Sequence, residues 1–167
     1  MFTGRLKTMI PVALTALAEA LFLRPLETLN LEDNAIGAVA TPSLVPLLST
    51  TRYLRHINLT NCGMSAESCK VFVDGCLSNP LCQIESVSIA RNRFHSEGAA
   101  ELARLCSGSS VPKNLDVSSC SISEKGFTPL LEAILAHPVD LKSLKIQDNN
   151  LSASDDGPAL LLAQILE

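Results

Sequence analysis

The sequence predicts an α/β solenoid, a curved horseshoe with a parallel β-sheet on its concave side and helices on its convex side. Two observations carry this. The first is a hydrophobic signature, L-x-x-L-x-L-x-x-N/C-x-L, that recurs along the chain. Its copies are Leu26, Leu29, Leu31, Asn34, Ile36; Leu54, Ile57, Leu59, Cys62, Met64; and Ile84, Val87, Ile89, Asn92, Phe94. A degraded copy follows at Leu115, Val117, Cys120, Ile122, and a clean one at Leu141, Leu144, Ile146, Asn149, Leu151. Successive Asn/Cys positions lie 28, 30, 28 and 29 residues apart. The second observation is composition: 47% hydrophobic residues against 18% charged describe a folded chain, while 4% aromatics and no Trp require a core of small and branched aliphatics. Thin stacked layers are built in that way.

The period places the chain among leucine-rich-repeat solenoids, as one domain over residues 1–167 with about five repeats. Met9 to Leu23 comes first, and it has the apolar character of a signal-peptide core behind Arg5 and Lys7. Its periodicity favours a helix instead, because Ile10, Ala13, Leu14, Leu17, Ala20 and Leu21 share one face and Thr15 and Glu19 the other. Pro11 suits the first turn and Pro25 the exit, so the segment reads as the convex helix of a repeat whose strand lies before Met1. Strands are expected near 28–31, 56–59, 86–89, 115–117 and 143–146. They should pair in parallel, since a helix long enough for the right-handed crossover follows each one.

Those helices are expected near 41–50, 66–78, 97–106, 124–136 and 158–166. Thr41, Ser65, Ser96, Ser123 and Ser154 are the candidate N-caps, each offering an oxygen to a first-turn N–H. Pro46 and Pro129 remove backbone bonds inside two helices, which should therefore be short or partly 3₁₀. Ser107-Gly108-Ser109-Ser110 is the loosest joint and coincides with the degraded signature. No stretch of 18 apolar residues exists, so no membrane span is predicted.

Six cysteines, Cys62, Cys69, Cys76, Cys82, Cys106 and Cys120, include no C-x-x-C pair, which disfavours zinc and redox motifs. Cys62 and Cys120 occupy the inward position that Asn34, Asn92 and Asn149 fill in the other repeats. Asn there serves buried backbone groups with a full amide, and Cys does so with a weak S–H donor and apolar packing. The alternation is that of the ribonuclease-inhibitor type of repeat. Reduced structural thiols point to a cytosolic or nuclear compartment.

A formal charge of −4 leaves no basic surplus for nucleic-acid phosphates. His56, His95 and His137 stand at no triad or metal-ligand spacing, the adjacent carboxylates Glu32-Asp33 point to opposite faces of a strand, Asp155-Asp156 read as solvated charges, and no glycine loop cradles phosphate. No metal, cofactor or small-molecule substrate is therefore expected. What remains is the concave surface. Strand alternation points Asn30 and Glu32, Asn58 and Thr60, Ser88 and Ala90, Asp116 and Ser118, and Lys145 and Gln147 away from the core. Asp33, Asn61, Arg91, Ser119 and Asp148 follow at the strand-to-helix rim. A polar rim of this kind offers directional hydrogen bonds to a protein partner.

Phe2-Thr3-Gly4-Arg5-Leu6-Lys7, Ile10-Pro11, and Leu31-Glu32-Asp33-Asn34-Ala35-Ile36-Gly37 closely resemble the central repeats of Ran GTPase-activating proteins. Leu59-Thr60-Asn61-Cys62-Gly63-Met64 and Ala90-Arg91-Asn92-Arg93-Phe94 match the next two repeats of that family. The likeness is specific over residues 2–64, fair to 106 and generic beyond. It implies a cytoplasmic activator in nucleocytoplasmic transport that binds a Ran-type small GTPase in its GTP-bound state and is not itself an enzyme with a substrate site. It also implies that Asn61 positions the GTPase's own glutamine without an arginine finger, that Arg5 is the family's important arginine, and that Lys7 is its neighbouring lysine. Partner contacts are then expected from Lys7, Asn30, Glu32, Asp33, Asn58, Thr60, Arg91 and Arg93.

Simpler roles stand beside these: Arg5 as a solvated charge, Asn61 as a turn residue, Arg91 and Arg93 as rim charges. The family carries further repeats on both sides and an acidic tail, so the chain reads either as a fragment of a longer solenoid or as a compact divergent member. The alternative function is a non-catalytic interaction scaffold, like the repeat regions of actin-capping regulators or innate-immune sensors, which share the Asn/Cys pattern but not F-T-G-R.

Overall fold

The computed structural model describes residues 8–22, 24–108, 111–137, 141–151 and 156–166. Helix α1 (Met9–Leu21) precedes strand β1 (Thr28–Asn30), and four further strands follow: β2 (His56–Asn58), β3 (Ser86–Ser88), β4 (Asn114–Asp116) and β5 (Ser143–Lys145). They form one sheet in sequence order with every neighbour parallel. The register stacks Leu29, Ile57, Val87, Leu115 and Leu144 in a single inward ladder. The chain is thus an α/β leucine-rich-repeat solenoid.

Between strands lie α2 (Gly37–Ala40), a 3₁₀ segment (Thr41–Leu44) and α3 (Val45–Thr50), then α4 (Ala66–Leu77), α5 (His95–Cys106), α6 (Glu124–Ala136) and finally α7 (Asp156–Leu166). Each helix packs on its sequence neighbours, and α1 packs on the α2-to-α3 segment as the helix of a preceding repeat would. Its buried residues are Ile10, Leu14 and Ala18. Ala20, expected on that face, is exposed. Among the described residues no helix is long and apolar enough to cross a membrane.

The capping expectations divide. Ser65 caps α4 by accepting from the Ser68 N–H at 3.3 Å. Thr41 is not an N-cap, because the chain is already helical from Gly37 and Thr41 opens the 3₁₀ segment; its Oγ1 donates back to Gly37 O at 2.7 Å. Ser96 lies one residue inside α5, where its hydroxyl pairs with Ser123 Oγ at 2.8 Å and so ties two repeats together. Ser123 precedes α6 but makes no side-chain cap. Ser154, Ser109, Ser110 and Asp155 lie outside the described residues.

Pro46 behaves as expected, opening α3 after the 3₁₀ interruption. Pro129 does not: α6 runs through it unbroken. Five buried apolar residues of α6 (Phe127, Leu130, Leu131, Ala133, Ile134) hold that helix against its neighbours, and packing outweighs one missing backbone bond. The core also contains more ring than composition suggested, since Phe72, Phe94 and Phe127 are all fully buried. The degraded fourth signature is complete in space. Pro112 is buried in the place of Leu26, Leu54 and Ile84.

Below the sheet runs the inward ladder. Asn92 Nδ2 donates to Leu59 O, Ile89 O and Ala90 O at 2.9, 2.7 and 3.2 Å, while its Oδ1 accepts from Cys62 N and Met64 N at 3.0 and 2.9 Å. Asn149 repeats the arrangement on Val117, Ile146, Gln147, Cys120 and Ile122. Asn34 Nδ2 donates to Leu31 O and Glu32 O. Cys62 Sγ donates to Leu31 O at 2.9 Å and Cys120 Sγ to Ile89 O at 3.3 Å. Asn and Cys therefore alternate as donors to backbone that strand pairing leaves unsatisfied.

Asn92→Ala should destabilise the fold by about 3 kcal/mol, because buried carbonyls and N–H groups lose their partner together; a shifted urea midpoint with an unchanged slope is the expected readout. Gly126→Ala should also destabilise, by about 1–3 kcal/mol. A Cβ there would stand 2.7 Å from Ser96 Cα, and neither backbone can withdraw without parting α5 from α6.

Candidate protein-interaction rim

The strand ends explain the rim. Sheet pairing continues beyond each strand, with the rim N–H groups of Asp33, Asn61, Arg91 and Ser119 donating to Thr60 O, Ala90 O, Ser118 O and Gln147 O of the next repeat. The chain must then turn sharply so that the following Asn or Cys can enter the core. It does so through the left-handed region: φ is 59° at Asp33, 52° at Asn61, 55° at Arg91, 55° at Ser119 and 55° at Asp148. Asn and Asp tolerate this conformation best among non-glycine residues. Asn61 is therefore a turn residue as the simpler reading held, and the same turn throws its side chain outward.

A second left-handed residue alternates with the ladder. It falls three residues after Asn34 and Asn92, at Gly37 (56°) and His95 (55°), but one residue after Cys62 and Cys120, at Gly63 (70°) and Ser121 (59°). Gly37 and His95 use the later position to donate their N–H to Cys62 O and Cys120 O.

The rim side chains of the first three repeats form one connected polar network. Asn61 Nδ2 donates to Asp33 Oδ1 at 2.8 Å. Arg91 reaches across two repeats to Glu32 Oε1 at 3.1 Å and Asp33 Oδ1 at 3.2 Å. Asn58 Nδ2 donates to Glu32 Oε2 at 3.2 Å, and Asn30 Oδ1 accepts from the Glu32 N–H at 3.0 Å. Glu32, Asp33, Asn61 and Arg91 are all exposed. Such pairs contribute about 0.2–1 kcal/mol each to folding, so the network positions side chains far more than it stabilises the fold.

Thr60 departs from its expected exposure. It is 7% exposed and its Oγ1 meets Ser88 Oγ at 2.8 Å, because the neighbouring strand closes over it. Ala90 is buried on the same row. Arg93 is exposed and has no charged partner among the described residues. Arg5 and Lys7 lie outside the described residues. Next to the loop carrying Asn61 is a hollow of about 320 Å³ lined by Ile10, Ile36, Val39 and Gly63. Among the described residues no three His, Cys, Asp or Glu side chains are grouped to hold a metal ion.

The cysteines separate into two kinds. Burial pushes the Cys62 thiol up to about 11 and the Cys106 and Cys120 thiols up to about 12. Cys69 is raised by the same cause, and Cys76 chiefly by its hydrogen bond to Cys82. Cys82 alone is half-buried, and its thiol is lowered to about 7, first by the hydrogen bond from Cys76. Periodicity did not mark it, because Cys82 lies in the return loop where the repeat signature makes no demand. The signal present was Asn79-Pro80, a turn between two cysteines six positions apart.

Residues 22–39 match the family described as Leucine Rich repeat. The chain is 33% identical over 116 residues to Ran GTPase-activating protein 1 of Xenopus laevis, covering 62% of this chain and 20% of the relative. It is 31% identical over 151 residues to the Ran GTPase-activating protein of Drosophila melanogaster, covering 83% and 25%. It is also 30% identical over 118 residues to the ribonuclease inhibitor of Mus musculus, covering 68% and 24%. The chain thus carries leucine-rich repeats homologous, at modest identity, to both kinds of protein. It spans a fifth to a quarter of the length of these curated relatives.

Asn61→Gly should leave stability within about 0.5 kcal/mol of the parent, since glycine adopts the same φ without strain. Asn61→Val should cost about 1–2 kcal/mol, because a β-branched side chain collides with its own backbone there. Equal unfolding midpoints for the two variants would show that the left-handed turn is not what Asn61 supplies.

Proposed function

We propose that the chain is a cytoplasmic GTPase activator for a Ran-type small GTPase, binding its GTP-bound state through the concave rim and accelerating hydrolysis at a nucleotide site that belongs to the partner. The observation that carries this reading is the held amide of Asn61. Asp33 takes its Nδ2, and Arg91 in turn holds Asp33, so the amide is held at an exposed position and Oδ1 is the acceptor it offers a partner. A glutamine side chain on a docked GTPase can donate its amide N–H to such an acceptor, and its own carbonyl then orients a water molecule. Orientation of that kind lowers the barrier by positioning and preorganised electrostatics, with no inserted arginine.

In this reading Asn61 touches the reacting system through the partner's glutamine, while Asp33 and Arg91 are positioning residues. Glu32, Asn30 and Asn58 extend the polar surface, and Arg93 offers an exposed charge to an acidic patch. By the resemblance around F-T-G-R, Arg5 is the arginine on which stimulation depends and Lys7 is a partner contact. Similarity to Ran GTPase-activating proteins over most of the chain supports the assignment.

The second reading is a leucine-rich-repeat interaction scaffold without GTPase stimulation, favoured by the similarity to ribonuclease inhibitor. Both use the same rim and differ in whether a reaction responds.

Single-turnover hydrolysis by GTP-loaded Ran separates them. Asn61→Gly, which keeps the turn, should reduce stimulated hydrolysis by roughly 10²-fold or more while complex formation changes little, as loss confined to the transition state requires. Asp33→Ala should reduce stimulation less. Binding without stimulation, or stimulation indifferent to Asn61→Gly, would establish the scaffold reading instead.

A further inference from the structure

Two arginines occupy equivalent places where the first two repeats return from helix to strand. The sheet pairs Thr28 with His56, and Arg24 and Arg52 each stand four positions ahead of those partners, in adjacent layers of the solenoid. Beside them, at the ends of α1 and α3, lies a hollow of about 100 Å³ lined by Arg24, Arg52, Thr51 and Tyr53 together with Leu21 and Leu47. Among the described residues no carboxylate lines it.

Arginines at such a place commonly serve the last carbonyls of a helix. Here those carbonyls are taken by other groups. Leu21 O accepts from Arg24 N at 3.0 Å, Leu47 O from Thr51 N at 3.0 Å, and Pro46 O from Thr50 Oγ1 at 2.7 Å. The Asn79 amide donates to Leu48 O at 2.9 Å and to Thr51 O at 2.6 Å. Both guanidinium groups are exposed, and among the described residues neither has a hydrogen bond or an ion pair. Arg91 and Arg104, by contrast, each hold two carboxylates. Like charges on neighbouring strands repel, so the Arg24–Arg52 pair lacks a counter-charge that the fold does not supply. Thr51 adds a further donor, since its Oγ1 is buried with no hydrogen-bond partner, a state that native structures rarely leave unanswered. Tyr53, 53% exposed, brings a phenol to the same hollow.

We propose that this hollow binds the phosphoryl group of a phosphate monoester. Arg24 and Arg52 each present a planar fork that matches phosphoryl oxygens, and the Thr51 hydroxyl donates from the wall. A monoester carries close to two negative charges at neutral pH, which answers two unpaired cations at once. Size agrees with one tetrahedral oxyanion, because pockets for whole nucleotides or coenzymes run to about 300–1,000 Å³. The alcohol portion of the ester therefore stays outside, whether it is a small molecule or a phosphorylated side chain of another protein. The hollow lies where helices return to strands, at the opposite ends of the strands from the Asn61 rim, so its occupancy is independent of that surface.

Calorimetric titration of the folded chain with inorganic phosphate at fixed ionic strength tests the site. Saturable binding to one site is expected, and Arg24→Ala and Arg52→Ala should each weaken it by about 10-fold or more. Arg24→Lys should recover only part of the loss, because it restores charge without the fork. Thr51→Val should weaken binding while leaving the urea midpoint of the ligand-free chain unchanged or higher, since it removes an unpaired hydroxyl. Glycerol phosphate and a short glycine peptide carrying one phosphoserine then identify the source. Tighter binding of the peptide assigns a phosphorylated protein, and tighter binding of glycerol phosphate a small ester. Absence of saturable phosphate binding, affinity indifferent to both alanine variants, full recovery by Arg24→Lys, or a lowered midpoint in Thr51→Val would overturn the proposal.

Discussion

The buried Asn/Cys ladder is the constraint on which the rest of this molecule depends. Each strand contributes only three residues to the sheet, after which the backbone must leave the strand direction and enter a helix without abandoning polar groups in an apolar core. Asn92 shows how this is managed: one side chain donates to carbonyls of two repeats and accepts from two N–H groups of the preceding one. A longer strand would need no such device. Because the repeats are thin, the inward amide joins strand pairing and helix packing in linking one layer to the next, and Leu, Ile and Val stack in the register of the strands.

The same requirement fixes the rim. For a side chain to turn inward at Asn34, Cys62, Asn92, Cys120 and Asn149, the residue before each must adopt positive φ, and its own side chain is thereby sent outward. Core satisfaction and surface display are two faces of one turn. The alternation of Asn with Cys carries a further consequence, since the thiol donates to backbone but does not gather the N–H groups that an amide oxygen does. Loop geometry compensates by moving the second left-handed residue from the third position after Asn to the first after Cys. The structural period is therefore two repeats.

Rim electrostatics contribute little to stability and a good deal to orientation. Arg91, Glu32 and Asp33 are exposed and screened, so their attractions cannot hold the fold together. They do restrict the Asn61 amide, which is a matter of geometry rather than of free energy of folding. A surface of pre-positioned polar side chains on a rigid sheet edge suits recognition of a protein partner, because less side-chain entropy is lost on binding.

Sequence alone determined the architecture, because the spacing of the Asn/Cys positions is a one-dimensional record of layers that contact only their neighbours. It likewise determined the inward roles of Asn34, Cys62, Asn92, Cys120 and Asn149, since alternation on a strand obeys local geometry. It misjudged features set by contact between layers. Thr60 alternates outward yet is covered by Ser88, Pro129 sits in an unbroken helix because α6 is packed, and Pro112 completes a repeat that lacks its leucine. The polar network from Glu32 to Arg91 links positions 59 residues apart, and only the sheet's register brings them together.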